Sequence, residues 1–323
     1  MKRFTKYPAA LLLALMMALS LAACGNSGDN ATPASTNEEG NTPYELQMQI
    51  SQEDWDSHRQ YVDLATGITM SYVEMGVEDG PALILQHGMT DNSRSWSLVA
   101  HFFAEAGYHV YMLDLRGHGY SDKPNTGMYT IIDFSNDIAA FMDAKGIENA
   151  DLVGHSLGSM TMQAFMMNYP DRCDHVVLVA SSPVNSTAVG TDMYDYMLTL
   201  NKDEHPDDEF MAGWYTNPNH VDEDFLQREM AESQNLNIDA WRCICAGVAA
   251  VDMTPFYPYI DSYDIPTLIM HGTLDSFFDD ASQTVLCEYL PDAEYKVYEN
   301  YGHNLQWEMP EQFAEDVIAF LAA

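Results

Sequence analysis

Basic residues are scarce in this 323-residue chain, which has 13 Lys and Arg against 49 Asp and Glu. Three of the bases lie in the first six residues, so the remaining chain carries 10 bases and all 49 acids. A field of this sign repels nucleic acid and offers no basic patch for phosphate groups. We therefore expect no nucleic-acid partner, and the same charge disfavours anionic substrates.

Cysteine is also rare, and no Cys-x-x-Cys motif occurs among the five cysteines. Four of them follow Cys24: Cys173, Cys243, Cys245 and Cys287. In an exported protein these four could form disulfides in three pairings, or they could stay buried as free thiols. The sequence leaves both alternatives open.

Regular metal-ligand spacing is missing as well. The stretches "KDEHPDDE" and "HVDEDF" mix histidine with carboxylates, but the spacing is irregular. A solvated acidic surface is the simpler interpretation. We expect no bound metal and no other cofactor.

The chain has one long apolar run, "PAALLLALMMALSLAA", which follows Lys2, Arg3 and Lys6. It is short for a membrane span, which needs about 20 apolar residues, and it is typical of a secretory signal. Its ending "LAAC" resembles a bacterial lipobox, which implies cleavage before Cys24 and lipidation of that cysteine. An uncleaved N-terminal anchor and an ordinary secretory signal are the alternatives.

The residues after the apolar run are mostly Gly, Ser, Asn, Thr and Pro. Such a segment buries too little apolar surface to fold, so it predicts a flexible tether. We thus expect a signal peptide at 1–23 and a tether at 24–43. Together they predict an exported protein held by lipid at the bacterial cell envelope.

From residue 44 onward, strand patterns alternate with helix patterns. Continuous apolar runs such as "ALILQHG" are typical of strands buried on both faces. The alternation predicts an α/β protein with a mostly parallel, twisted sheet and helices on both faces. Between 183 and 260 only helix-like segments occur, which predicts a helical cap inserted into a core formed by 44–182 and 261–323.

Ser156 lies in "DLVGHSLGSMTMQAF", where a strand pattern changes to a helix pattern between Gly154 and Gly158. A very sharp strand-to-helix turn needs small neighbours and presents the central side chain above the sheet. Ser156 is therefore a candidate nucleophile. The alternative is a helix N-cap, a position where serine is also favoured.

A serine nucleophile needs a histidine base and an acid that orients it. Asp275 follows a buried strand pattern, and His303 lies in the loop after the next one. Asp279, Asp280 and Asp114 are weaker candidates for the acid. Asp114 is expected to hold the "RGHGYS" loop, and the remaining histidines near the predicted site are expected to structure loops: His87, His118 and His155.

Five motifs occur in a familiar order: "HGMTDNSRSW", "DLRGHGYSDKP", "GHSLGS", "PTLIMHGTLD" and "GHNLQWEMP". With them, the chain from about residue 61 to its end resembles the α/β-hydrolase superfamily. The likeness is notably to its capped branch of esterases, cofactor-free haloperoxidases and epoxide-hydrolase relatives. The resemblance implies the α/β-hydrolase fold, with Ser156 as nucleophile, His303 as general base and Asp275 as orienting acid.

The same resemblance implies an oxyanion hole made by the backbone N–H groups of Met89 and Leu157. Met89-Thr90 replaces the aromatic residue and proline of many relatives, which disfavours a perhydrolase. A serine at 156 disfavours dehalogenase and epoxide hydrolase chemistry, in which aspartate occupies that position. The absence of "HGGG" disfavours the hormone-sensitive-lipase-like branch.

The predicted cap contains apolar side chains that could line a substrate pocket, or could simply pack the cap on itself. These are Met193, Tyr194, Met197, Trp214 and Tyr215. If they face the site, they favour an apolar acyl or aromatic group.

The expected reaction is hydrolysis of a small or medium, neutral or apolar carboxylic ester through an acyl-enzyme. Lactone, amide or C–C bond hydrolysis and acyl transfer use the same triad and remain alternatives. An envelope binding protein without catalysis and a metal-dependent hydrolase are more distant ones, since fold alone does not establish function. The oligomeric state is not predicted.

Overall fold

A computed structural model of the protein describes residues 46–125, 128–185, 188–201, 204–234 and 236–323. The predicted signal peptide, Cys24 and the tether lie outside the described residues. Within the described ranges, no helix combines the length and the apolar character needed to cross a membrane.

Eight strands form one sheet in the order β1-β2-β4-β3-β5-β6-β7-β8. The first two pairs in this order, β1–β2 and β2–β4, are antiparallel, and all later pairs are parallel. The sheet is thus mostly parallel, as predicted. The strands are β1 (Gln60–Asp63), β2 (Thr69–Gly76), β3 (Ala82–Gln86), β4 (His109–Leu113), β5 (Ala150–His155), β6 (Cys173–Val179), β7 (Thr267–Gly272) and β8 (Glu294–Tyr298).

Eleven α-helices occur among the described residues. They are α1 (Ala100–Glu105), α2 (Ile131–Lys145), α3 (Leu157–Asn168), α4 (Tyr194–Thr199), α5 (Asp208–Trp214), α6 (Glu223–Ser233), α7 (Ile238–Ala249), α8 (Tyr257–Ile260), α9 (Asp280–Tyr289), α10 (Leu305–Glu308) and α11 (Pro310–Leu321).

Helices cover both faces of the sheet because successive strand residues point to opposite sides. Leu152 of β5 belongs to a core cluster that includes α2 and α3 residues, whereas its neighbour Val153 belongs to a second cluster with α1 and α11. Both strand residues are fully buried. This explains why the central strands are continuously apolar rather than alternating.

Local signals set the ends of α2. Thr130 and Asp133 form a reciprocal capping box at its start, and Gly146, in the left-handed conformation at φ 70°, ends it. Both devices satisfy backbone groups that have no partner inside the helix. Helix α2, which packs against α3, is therefore bounded by its own sequence.

The chain between β6 and β7 (residues 180–266), here called the insertion, contains α4 to α8. Its described residues contain no strand, only one isolated bridge between Val184 and Asp252. In one part of the insertion, Met211, Tyr215 and Phe225 pack with Trp307 of α10. The insertion thus packs over the carboxyl-terminal side of the sheet, where parallel α/β proteins bind ligands. The cap boundaries given above remain a prediction.

Candidate active site

Ser156 lies in the one-residue turn between β5 and α3, with φ at 52°. A Cβ on Gly154 would lie 2.5 Å from the carbonyl oxygen of Gly158, and one on Gly158 would lie 2.2 Å from that of Gln86. The two glycines are therefore needed because main chains approach closely. The strained backbone is that of Ser156 itself, and strain of this kind is concentrated at functional sites.

The Ser156 side chain does not cap α3, although the residue occupies the N-cap position. Its main chain is fixed instead. The backbone N–H donates to Val179 at 3.0 Å, and the carbonyl accepts a 2.6 Å bond from the Ser159 hydroxyl. The hydroxyl of Ser156 is thus free of a capping bond, so the structure does not support the alternative that its side chain caps the helix.

His303 and Asp275 are joined by a hydrogen bond, with His303 Nδ1 at 2.9 Å from Asp275 Oδ2. The other oxygen of Asp275 accepts the backbone N–H groups of Phe277 at 2.8 Å and Phe278 at 3.0 Å. Burial alone would raise the pKa of Asp275, but His303 and these N–H groups outweigh it and lower the pKa below its usual value. Asp275 is therefore held as a carboxylate although its side chain is fully buried.

Ser156 and His303 line the same cleft, which has about 380 Å³ of empty space. Its lining residues are mainly apolar or aromatic, and no Lys or Arg is among them. They are Gly88, Met89, Asp91, His155, Ser156, Trp214, Tyr215, Phe277, His303, Asn304 and Trp307. A cleft of this composition suits a neutral, partly apolar ligand.

The predicted pocket residues fall into two groups. Trp214 and Tyr215 line the cleft. Met193 and Met197 are buried in the main core cluster, together with Leu157, and Tyr194 packs against that cluster; none of these three predicted residues lines the cleft. The cleft wall from the insertion is thus aromatic.

The two residues predicted to form the oxyanion hole lie beside Ser156. Leu157 directly follows Ser156, and Met89 lines the cleft. A Cβ on Gly88 would come within 3.2 Å of Ser156 Cβ, which shows how closely the chain after β3 approaches the serine. Neither Met89 nor Leu157 donates its backbone N–H to another described residue.

The three neighbouring histidines make main-chain hydrogen bonds, as expected for histidines that structure loops. His87 Nδ1 lies 2.7 Å from the Gly88 oxygen, and His118 Nδ1 lies 3.1 Å from that of Arg116. His155 donates from Nε2 to the His303 oxygen at 3.1 Å, which fixes the backbone of His303. Burial, followed by the His303 charge, lowers the pKa of His155 well below its usual value, so this ring is neutral.

The competing acids have other partners. Asp114 accepts the backbone N–H groups of Ser93 at 2.7 Å and Tyr120 at 2.9 Å, so it holds its loop as expected. Asp279 caps α9 by accepting the Ser282 N–H at 3.0 Å. The side chain of Asp280 is exposed. Asp275 alone among these acids is bonded to His303.

Sequence reasoning did not identify a pair of buried acidic residues, of which one lines the cleft. Asp91 lines the cleft, and Glu229 accepts the backbone N–H of Asn92 at 3.1 Å. Burial raises the pKa of Asp91 to about 7, and it also raises the pKa of Glu229, to which the Asp91 charge adds. One available signal was the position of Glu229 on α6, one turn after buried Phe225 and hence on the same face.

The four cysteines among the described residues are free thiols. Burial raises the pKa of Cys173 and of Cys245 to about 12, so both remain protonated. The described ranges contain no cluster of three or more His, Cys, Asp or Glu side chains that could hold a metal ion.

Comparison with known proteins adds a family assignment to this geometry. Residues 81–310 match the family model described as "alpha/beta hydrolase fold". The chain is 28% identical to a non-heme chloroperoxidase from Streptomyces lividans over 80% of its own length and 98% of that protein. It is 24% identical to a bifunctional esterase/perhydrolase from Acinetobacter calcoaceticus over 81% of its length and 99% of that protein.

A solved structure supports the same fold. An esterase from Exiguobacterium antarcticum superimposes with a TM-score of 0.73 at 21% identity, covering 82% of this chain and 99% of the esterase. At this identity the likeness concerns the fold alone. The family match and this superposition confirm the fold class predicted from the sequence.

Proposed function

Because the chain belongs to the α/β-hydrolase fold family and is a hydrolase, we propose that it cleaves carboxylic esters through a Ser156–His303–Asp275 triad. The observation that carries the proposal is the 2.9 Å bond between His303 and buried Asp275, in a cleft that Ser156 also lines. Nucleophile, base and orienting acid are the three parts of such a triad.

In this proposal His303 accepts the Ser156 proton as the serine oxygen attacks the ester carbonyl. The resulting oxyanion is stabilised by the backbone N–H groups of Met89 and Leu157, whose loss would cost about 3–4 kcal/mol each if a protease oxyanion hole is a guide. His303 then protonates the departing alcohol. Water activated by the same ring releases the acid and restores the serine.

The composition of the cleft guides the substrate class. Its aromatic wall favours an apolar acyl or alcohol group, and the absence of Lys and Arg from its lining gives an anionic substrate no counter-charge. The strongly acidic chain also repels anions. We therefore propose neutral, small to medium esters, hydrolysed without a cofactor.

Turnover of p-nitrophenyl esters from acetate to octanoate by the purified protein tests this proposal, with Ser156→Ala as the matched variant. We expect hydrolysis by the wild type and a loss of at least about 10³-fold in kcat in the variant, by analogy with serine proteases. The acyl length at which kcat/KM is largest then measures the space in the cleft.

A fluorophosphonate probe separates a wrong substrate from a wrong mechanism. Covalent labelling at Ser156 without ester turnover would retain the serine mechanism and point to a lactone, amide or C–C bond. The absence of both labelling and turnover in a folded protein would contradict the hydrolytic role of Ser156. It would favour a non-catalytic binding protein.

We also propose that the protein is exported and anchored by lipid at Cys24, on the strength of the "LAAC" ending of its apolar N-terminal run. Expression in a bacterium with radiolabelled palmitate tests this. The wild type should incorporate label and sediment with membranes, whereas Cys24→Ser should do neither. Equal distribution of the two proteins would contradict the anchor.

A further inference from the structure

Thr90 has a backbone conformation that is rare for its type. It follows Met89 in the loop after β3 (residues 87–95, here called the β3 loop), and its φ is 74°. A β-branched residue in this left-handed region is a genuine outlier. The residue is also buried, so contacts from the side chains around it can hold its left-handed conformation.

A chain of hydrogen bonds that starts in the insertion passes through the side chain of Thr90. Trp214 Nε1 donates to the Thr90 hydroxyl at 2.9 Å. Tyr215 places its hydroxyl 3.3 Å from Thr90 Oγ1 and donates at 3.3 Å to Asp91. Since the phenol proton goes to Asp91, the Thr90 proton goes to Tyr215, and each bond polarises the next.

The same two aromatic side chains are themselves held from the opposite side of the cleft. The Trp214 ring lies 5.0 Å from the ring of Phe277, which lies 4.7 Å from that of His303. Tyr215 stacks on Trp307 at 6.0 Å between ring centroids, with 7° between the planes. The indole N–H is thus presented to Thr90 in a fixed position.

We propose that Trp214 is a positioning residue, whose indole N–H holds Thr90 in the left-handed conformation and thereby aims the adjacent Met89 N–H at the substrate oxyanion. This inference depends on the proposed function, because it assigns a role in the same reaction. Helix α5 then acts on the chemistry through the main chain of the β3 loop.

Trp214→Phe removes the N–H and keeps an aromatic ring against Phe277. Loss of one buried hydrogen bond that orients an oxyanion donor should lower kcat about tenfold, which corresponds to about 1.4 kcal/mol. KM for p-nitrophenyl acetate should change less than about twofold, because the Met89 N–H bonds to the oxyanion only in the transition state. Inhibition by a trifluoromethyl ketone, which forms an oxyanion, should weaken about tenfold as well.

Two further variants separate positioning from packing. Trp241→Phe changes another buried tryptophan of the insertion, whose Nε1 has no partner among the described residues, and should leave kcat unchanged. Thr90→Gly supplies a residue that adopts φ 74° without strain. In the Thr90→Gly background, Trp214→Phe should therefore cost less than about twofold in kcat.

An equal loss of kcat from Trp214→Phe in the wild-type and Thr90→Gly backgrounds would overturn the inference, as would a rise in KM with kcat unchanged. Either result would leave the proposed function intact, provided that Ser156 still reacts with the fluorophosphonate. A wild type in which Ser156 neither turns over esters nor is labelled would overturn both.

Discussion

Two loops that meet in the cleft are held in opposite ways. The loop after β7 (residues 273–279, here called the β7 loop) fixes Asp275 by hydrogen bonds to N–H groups two and three residues away. The β3 loop also receives long-range contacts from side chains of the insertion, with Trp214 bonded to Thr90 across 124 residues and Glu229 to Asn92 across 137. One side of the site is therefore a local structure, and the other depends in part on docking of the insertion.

The difference has a mechanistic consequence. The local contacts of the acid do not involve the insertion, whereas the β3 loop, which carries Met89, is held in part by side chains of α5 and α6. Under the proposed function, the hydrogen bond between His303 and Asp275 would persist if the insertion loosened. Stabilisation of the oxyanion by the β3 loop would be weakened. Substitutions on the two sides should thus differ in what they change.

The largest effect is expected on the locally held side, from Asp275→Asn. The amide oxygen can still accept the Phe277 and Phe278 N–H groups, so the β7 loop should keep its shape. His303 loses its carboxylate partner, and in a comparable triad this change costs about 10⁴-fold in kcat. Steady-state kinetics with p-nitrophenyl butyrate measures it.

Asp279→Asn is the matched control for that variant, because Asp279 caps α9 four residues further along. It should retain kcat within about twofold. A loss of kcat as large as that of Asp275→Asn would contradict the assignment of the acid.

On the side held by the insertion, Glu232→Ala should mainly lower stability. Its two oxygens each lie 2.5 Å from a buried arginine, one from Arg94 and one from Arg59. Breaking a buried pair from one side costs about 3–5 kcal/mol, and we expect the lower end because Asp56 still contacts both arginines. Urea unfolding measures the change.

Glu223→Ala, at an exposed position of the same helix, is the control and should change the free energy of unfolding by less than about 0.5 kcal/mol. If Glu232→Ala behaved like it, the contacts of Glu232 with Arg94 and Arg59 would contribute nothing to stability.

A smaller effect should appear in the pH dependence of stability. Burial raises the pKa of Asp91 to about 7, so between about pH 4 and pH 7 the folded protein holds a proton that the unfolded chain has released. At this site the unfolded state then binds fewer protons, so the contribution of Asp91 to stability falls as the pH rises through this window. Asp91→Asn should flatten that fall in urea unfolding measured from pH 4.5 to pH 8.

Glu229→Gln should flatten it too, because burial and the Asp91 charge raise the pKa of Glu229. Asp79→Asn, at an exposed position, should leave the wild-type profile unchanged. A pH profile of stability that Asp91→Asn leaves parallel to that of the wild type would show that Asp91 is ionised in the folded protein.

The smallest effect is expected from reduction. Cys173 lies in β6 and Cys287 in α9, both outside the insertion, whereas Cys243 and Cys245 lie in α7 of the insertion. All four are free thiols. No disulfide therefore fastens the insertion to the core through these residues. Dithiothreitol should leave Tm unchanged, and a drop of several degrees would reveal a covalent link.

Much of the fold and the locally held part of the site could be predicted from the sequence. Glycines two residues to either side of Ser156 predict the sharp turn there. Asp275 and His303 follow consecutive strands in the expected order. The pattern predicts helix-like segments between 183 and 260 but does not give the bounds of α5, which carries Trp214 and leads directly into Tyr215. It is a seven-residue helix, too short for its periodicity to separate it from a loop.

The sequence by itself determined the features that neighbouring residues produce: the order of strands and helices, the sharp turn at Ser156, and the placement of Asp275 and His303 after consecutive strands. Tertiary structure alone decided what Thr90, Asp91 and Glu229 do, because their partners lie more than 100 residues away. A contact over that separation depends on how two packed surfaces meet, so the spacing of residues within a short segment does not predict it.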